Sequence, residues 1–160
     1  MKLENIRSKL SDEDFESLKN ILDASNTLVL ATLDLKGKPY STPLYYCSDC
    51  ELSLFYFSSK ESQHSNHIIK SNEISVGIYN QHHSVKDLKG LQIKGIAKII
   101  NEIGLKDKIK ELYSAKFADI IKREFIDLEL VSKDLYEICP YWIKLVDNSV
   151  KFGFKREWKC

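Results

Sequence analysis

The stretch FYFSSKESQHSNHI, residues Phe55 to Ile68, contains the strand-to-helix corner on which the predicted fold and site depend. It begins with the aromatic residues of a strand and ends as a short helix, from about Gln63 to Ser71. The amino end of a helix has unpaired N–H groups and a partial positive charge, which suit a phosphate. The corner offers further donors, namely Ser58, Ser59, Lys60, Ser62, Gln63 and His64. The pattern predicts an anion site; the alternative is an ordinary polar corner with Ser62 capping the helix.

Length and composition predict one domain, residues 1–160. Hydrophobic residues make up 43% and charged residues 29%, which is typical of a globular protein with one core. The formal net charge is +1, from 24 basic and 23 acidic side chains. No global field therefore draws the chain to nucleic acid or to an anionic membrane, and we expect neither as a partner.

The sequence also indicates a compartment. No apolar run approaches the ~20 residues of a membrane-spanning helix, and the charged amino-terminal segment lacks the apolar centre of a signal peptide. Four cysteines are too few for a disulfide framework. We therefore expect a cytoplasmic protein with reduced thiols.

Strand patterns follow one another closely after an amino-terminal helical segment in residues 1–25. In the second strand Pro43 indicates an edge or a bulge, and in the fifth Gly95 indicates a bulge or a close backbone approach. A helical segment at residues 104–125 precedes two last strands. Such a succession favours an antiparallel barrel with flanking helices, a mainly β fold. The predicted strands span residues 27–35, 39–47, 50–57, 73–80, 91–100, 135–148 and 151–158.

Cysteine and histidine patterns do not predict a metal site. Cys47 and Cys50 form a C-x-x-C pair, but a closed zinc site needs four ligands. We interpret them as two small apolar residues facing each other across a hairpin turn. His64 and His67 are neighbours on one side of the predicted helix, without further ligands at suitable spacing.

The remaining histidines, His82 and His83, lie in a polar loop, where they are either surface residues or part of a cover over a ligand. Glycine-rich nucleotide motifs and the G-x-S-x-G elbow are absent from the sequence. This absence argues against three classes of protein: a dinucleotide-binding fold, a nucleoside triphosphatase and a serine hydrolase.

Residues 27–100 resemble the flavin-binding split-barrel proteins related to pyridoxamine 5'-phosphate oxidase. The resemblance rests on the order of ATLD, GKP, LFYFSS, a polar helix start, NEISV and GLQIKG. The ending VDNSVKFGFKREW is similar to a small bacterial branch of that superfamily. The resemblance implies a six-stranded antiparallel split barrel, a homodimer, and FMN at each subunit interface.

The resemblance also implies a set of FMN contacts. The family's phosphate-binding triplet aligns with Ser62, Gln63 and His64, and we expect Lys60 and a protonated His64 to replace in part its arginine and lysine. The second strand, including Tyr45, would pass beneath the isoalloxazine ring, and Gln92 would contact flavin or ribityl. The strand before the corner would face the ring with Tyr56, Phe57, Ser58 and Ser59.

The same resemblance implies an FMN-dependent oxidoreductase acting on an unidentified small molecule. The arginine- and histidine-bearing substrate segment of the true oxidase is absent from SVKFGFKREW, so we do not expect pyridoxamine phosphate oxidation. No catalytic residue is assigned, and His82 and His83 are only candidates. The alternatives are a haem-binding or haem-handling barrel with a histidine ligand, a flavin carrier or redox sensor without turnover, and an empty barrel serving as an interaction module.

Overall fold

The computed structural model describes residues 5–120 and 133–160. Within these ranges three α-helices with described bounds flank a sheet: α1 (Asp12–Ala24), α2 (Gln63–Lys70) and α3 (Ile103–Lys116). Short 3-10 helices lie at Ile6–Lys9 and Val85–Asp87. The predicted segment at 104–125 thus corresponds to α3 and to helical residues 118–120, and its last five residues lie outside the described ranges.

Local sequence explains where the first helix begins. Ser11 caps α1 and accepts a hydrogen bond from the backbone N–H of Asp14 at 3.1 Å. Acidic residues fill the first turn, where they complement the helix dipole. Leu18 and Leu22 face the core, as the helical spacing predicts.

Eight antiparallel strands of the described residues form the sheet. Their order is β2-β1-β5-β6-β7-β4-β3, and β8 pairs with the second half of β7. The strands are β1 (Thr27–Leu33), β2 (Pro39–Tyr45), β3 (Cys47–Ser48), β4 (Leu54–Ser58), β5 (Glu73–Tyr79), β6 (Lys89–Ile100), β7 (Asp134–Asp147) and β8 (Lys155–Lys159). The expected mainly β barrel with flanking helices is confirmed, but the implied count of six strands is wrong.

One strand more than predicted is present because one extended segment, residues 39–48, pairs with strands at both edges of the sheet. Residues Pro39–Tyr45 pair with β1, and Cys47 and Ser48 then pair with β4 at the opposite edge. Tyr46, between the two pieces, donates its backbone N–H to the carbonyl of Asn26. The predicted second strand is therefore divided in two, and the segment brings the two edges of the sheet together as a split barrel.

The turn after β3 lies later than predicted. Asp49 accepts hydrogen bonds through Oδ1 from the N–H groups of Glu51 and Ser53, and Leu52 has a φ of 65°. The next strand consequently begins at Leu54. Cys47 lies opposite Phe55, so the interpretation that Cys47 and Cys50 face each other is wrong.

Two predictions about special residues are confirmed. Pro43 lies on β2, an edge strand in the order of the sheet. The register of β6 and β7 shifts between Lys94 and Gly95. At Gly95 the backbones approach closely, because an added Cβ would lie 2.8 Å from the carbonyl oxygen of Cys139.

Both faces of β4 are buried, one in each of two hydrophobic cores. The corner between β4 and α2 therefore begins where these two cores meet. Leu54 and Tyr56 belong to the main core inside the barrel. Phe55 and Phe57 belong to a second core, where they pack beneath Tyr113 and other apolar residues of α3. Among the described residues no helix is both long and apolar enough to span a membrane.

Candidate functional site

A network of small hydroxyls and one imidazole occupies the corner between β4 and α2. Nε2 of His64 lies 2.8 Å from Oγ of Ser58 and 3.1 Å from Oγ of Ser62. Oγ of Ser62 lies 2.8 Å from the carbonyl oxygen of Ser59, to which it donates, and 2.7 Å from Oγ of Ser65. The structure thus brings together Ser58, Ser59, Ser62 and His64, all predicted from the sequence.

The amino end of α2 has no side-chain cap. Ser62 occupies the N-cap position with φ −64° and ψ 150°, yet its hydroxyl makes no hydrogen bond to the helix backbone. The alternative in which Ser62 caps the helix is therefore wrong. No side chain in the described part of the chain accepts from the N–H groups of the first turn, which is the condition for binding an anion there.

Burial disfavours the charged form of His64. It is 6% exposed, and burial, together with the neighbouring His67, lowers its pKa below the ordinary value. Burial therefore opposes the protonated state that we expected of His64. The ring instead fixes the hydroxyls of Ser58 and Ser62 by hydrogen bonding.

Lys60 is the only cation in the sequence from Ser58 to His64. Its side chain is exposed, and Nζ lies 3.4 Å from Oδ1 of Asp134. Asp134 was not predicted as a site residue because it reaches the corner only through the pairing of β4 with β7, opposite Ser58. Gln63 is exposed in the first turn of α2, and so is Glu61 before it.

The two aromatic residues predicted to face a ring are buried. Tyr56 is fully buried and stacks on Tyr136, with ring centroids 5.2 Å apart. Phe57 is 4% exposed and meets the ring of Tyr113 edge-on. In this structure neither side chain is exposed to a ligand at the corner.

Tyr45 and the free edge of β4 border the split in the barrel. Tyr45 is 45% exposed, and its ring meets that of Phe117 edge-on. On the side away from β7, β4 pairs with β3 only at Leu54 and Phe55. Its last three residues therefore have no strand partner there within the described part of the chain. This edge, between β2 and the end of β4, is where we expect a planar group to lie.

Gln92 lies far from the corner within one subunit. It is exposed on β6 and pairs with Lys144 of β7, whereas the corner lies opposite Asp134. Ten residues of strand separate those two positions, a path of about 33 Å along β7. One subunit therefore does not bring Gln92 to Ser62.

The remaining candidates lie on other surfaces. His82 and His83 are exposed in the loop between β5 and β6. Arg156 of β8 forms an ion pair with Asp14 of α1 at 2.8 Å. Because Asp14 is almost fully buried, Arg156 ties the carboxyl-terminal strand to the first helix.

The donors at the corner fit a phosphate group in kind. They comprise the uncapped N–H groups of α2, the hydroxyls of Ser59 and Ser62, and the ammonium of Lys60. The charge balance is less favourable, since Glu61 and Asp134 lie in the same region. We therefore expect weaker phosphate binding than an arginine–lysine pair would give.

Comparisons with known proteins agree on the architecture. The sequence model of the family described as pyridoxamine 5'-phosphate oxidase matches residues 15–146, which is most of the chain. No curated protein sequence matches the chain. Many solved structures do, and three are described below.

Conserved hypothetical protein Rv2991 of Mycobacterium tuberculosis superposes with a TM-score of 0.67 at 16% identity, covering 94% of this chain and 86% of that chain. A candidate pyridoxamine 5'-phosphate oxidase of Listeria innocua gives 0.64 at 21% identity, covering 83% and 98%. HutZ, the haem storage protein of Vibrio cholerae, gives 0.62 at 18% identity, covering 88% and 91%. At these identities the likeness shows the fold alone.

Proposed function

We propose, from the premise that this chain belongs to the pyridoxamine 5'-phosphate oxidase family, that it binds FMN as a homodimer and oxidises or reduces a small molecule. The observation that carries the proposal is the uncapped amino end of α2 beside Ser59, Lys60 and Ser62. A helix end without a side-chain acceptor, next to hydroxyls and an ammonium, is suited to a phosphate ester.

The corner residues would divide the work of holding FMN. The N–H groups of α2 would donate to the phosphate, and so would the hydroxyl of Ser62 once it releases the carbonyl of Ser59. Lys60 would partly neutralise the phosphate charge. His64 would act indirectly by holding the Ser62 hydroxyl in place. FMN, when bound, supplies hydride or electron transfer, and the chain supplies binding, orientation and access.

A second copy of the chain would complete the ring site. Gln92 is too far along the sheet to reach the corner of its own subunit, so its predicted contact requires the partner. Exposed Leu33 on β1 and Tyr79 on β5 supply apolar surface for a dimer interface. The substrate would enter from solvent, and we keep the cytoplasm as the proposed compartment.

Haem binding is the second candidate. Its support is the likeness to HutZ, described as a haem storage protein, together with the exposed imidazoles of His82 and His83. Neutral imidazole is a good ligand for haem iron. A flavin carrier or redox sensor would have the same FMN site but no turnover.

The deciding experiment is the visible spectrum of the purified protein, with mass spectrometry of the extracted ligand and light scattering for the oligomeric state. A flavin spectrum, an FMN mass and a dimer are expected. A Soret band would support haem instead. A colourless monomer that does not take up added FMN would refute the proposal.

Turnover is tested separately on the FMN-loaded protein. Reduction by NADH or NADPH, followed by reoxidation with a small-molecule acceptor, would support an oxidoreductase. No reduction by either nucleotide would favour the carrier or sensor.

A further inference from the structure

We propose that a second anion site lies between the β1–β2 hairpin and the carboxyl-terminal half of α2, and that it takes a small phosphate-bearing molecule. A cavity of about 380 Å³ opens there, within the size range of small-molecule pockets. Its polar lining residues are Asp34, Lys36, Lys38, Asn66, His67 and Lys70. The FMN corner lies at the other end of α2, so the two sites are separate. This proposal does not rest on the proposed function.

The charge of this cavity is positive. Lys36 and Lys38 lie on the hairpin, and Lys70 is the last residue of α2. None of the ion pairs within residues 5–120 and 133–160 includes these three lysines. Asp34 is the one carboxylate of the lining, so the cavity has an excess of positive charge that favours an anion.

The hairpin holds its two lysines on a fixed turn. Oδ1 of Asp34 accepts hydrogen bonds from the N–H groups of Lys36 and Lys38, both at 2.8 Å. Gly37 has a φ of +72° and donates its N–H to the carbonyl of Asp34. The Asp34 carboxylate is thus engaged by the turn itself, and the backbone that carries the lysines is ordered before a ligand arrives.

His67 lies buried in the cavity wall. It is 9% exposed, Nδ1 lies 2.9 Å from Oγ1 of Thr32, and the ring meets that of Tyr40 edge-on. No hydrogen bond between described residues uses Nε2. With the Thr32 hydroxyl donating to Nδ1, Nε2 has the proton and can donate to a phosphate oxygen.

The test is a titration of the full chain with inorganic pyrophosphate, followed through the ring NMR signals of His67 and His64. We expect a saturable shift at His67 with a Kd at or below about 1 mM. Lys36→Gln with Lys38→Gln should raise that Kd by about tenfold or more. Lys70→Gln, on a different element, should weaken binding in the same direction, which covers the case in which the hairpin variant fails to fold.

The matched control is Lys108→Gln with Lys151→Gln, which removes the same charge from exposed positions on α3 and before β8. It should leave the Kd within about twofold. Equal weakening in the control, or a shift at His64 without one at His67, would overturn the proposal. If FMN binds, its retention by the hairpin variant would separate this site from the corner. If FMN does not bind, the pyrophosphate titration still tests this site by itself.

Discussion

The hydroxyl of Ser62 lies 3.1 Å from Nε2 of His64 and makes no hydrogen bond to the backbone of α2, although Ser62 is the residue from which that helix begins. A serine at this position ordinarily caps its helix, a contact worth about 1 kcal/mol. Here the side chain belongs to a partly buried hydroxyl network instead, and the helix end stays available. This relationship is the basis of the predictions for the corner.

Removing the corner's donors should weaken FMN binding. We expect Ser62→Ala with Lys60→Ala to raise the Kd for FMN by at least about tenfold, or ~1.4 kcal/mol. The double change deletes one hydroxyl donor and the only cation of the corner sequence. Fluorescence titration of the apoprotein measures the Kd, and an unchanged value would exclude the corner as the phosphate site.

Removing the competing carboxylate should act in the opposite direction. Asp134→Asn eliminates a negative charge 3.4 Å from Nζ of Lys60. We expect FMN to bind about threefold more tightly, a change within the range of exposed ion pairs. The same titration at two salt concentrations measures the change, which should shrink at high salt. Weaker binding would mean that Asp134 supports the corner structurally.

Burial of His64 predicts a pH dependence of stability. Its folded-state pKa is lowered, so the unfolded chain binds more protons between that pKa and its own value of about 6.5. The stability due to neutral His64 is therefore complete above this window and is lost as the pH falls through it. Urea unfolding should give a lower free energy at about pH 5 than at about pH 7.5.

The side chain responsible is identified by two variants. His64→Gln should reduce the difference in unfolding free energy between the two pH values. His82→Gln with His83→Gln changes exposed imidazoles and should preserve it. If both variants behave like the parent chain, other groups cause the pH dependence.

The sequence predicts those structural features that depend on residues close to one another in the chain. The cap at Ser11 and the bulge at Gly95 follow from residue types and their immediate neighbours, and the structure has both. The second strand is divided at Tyr46 because its first half pairs with β1 and its second half pairs with β4, at the opposite edge of the sheet. This pairing depends on the closure of the sheet, so the local sequence does not predict it.

The candidate site shows the same limit. The hydroxyls of the corner could be predicted because they follow one another in the sequence. Asp134 reaches Lys60 from 74 residues away, and His67 meets Thr32 across 35. Such contacts depend on strand register and on how α2 covers the barrel, and they decide which side chains are charged, paired or free.

Replacing Tyr56 with phenylalanine should stabilise the folded protein. Its hydroxyl is fully buried and has no hydrogen-bond partner among the described residues. We expect Tyr56→Phe to raise the free energy of unfolding by about 1 kcal/mol, because an unsatisfied buried polar atom is removed. Tyr46→Phe is the control: its hydroxyl donates to the carbonyl of Leu22 at 2.7 Å, so that change should cost about 1 kcal/mol. A loss of stability in Tyr56→Phe would indicate an unseen partner for the hydroxyl.

A side chain at position 95 should destabilise the protein, whereas a side chain at Gly77 should not. A Cβ at Gly95 would lie 2.8 Å from the carbonyl oxygen of Cys139 and 2.9 Å from Cγ2 of Ile138, so the bulge between β6 and β7 would have to open. We expect Gly95→Ala to lower the free energy of unfolding by about 1–3 kcal/mol. Gly77, on β5, has open space around the same atom, and Gly77→Ala should be neutral or stabilising by up to ~1 kcal/mol. Urea denaturation of the two variants side by side measures both effects, and equal stabilities would contradict the close approach of the two strands.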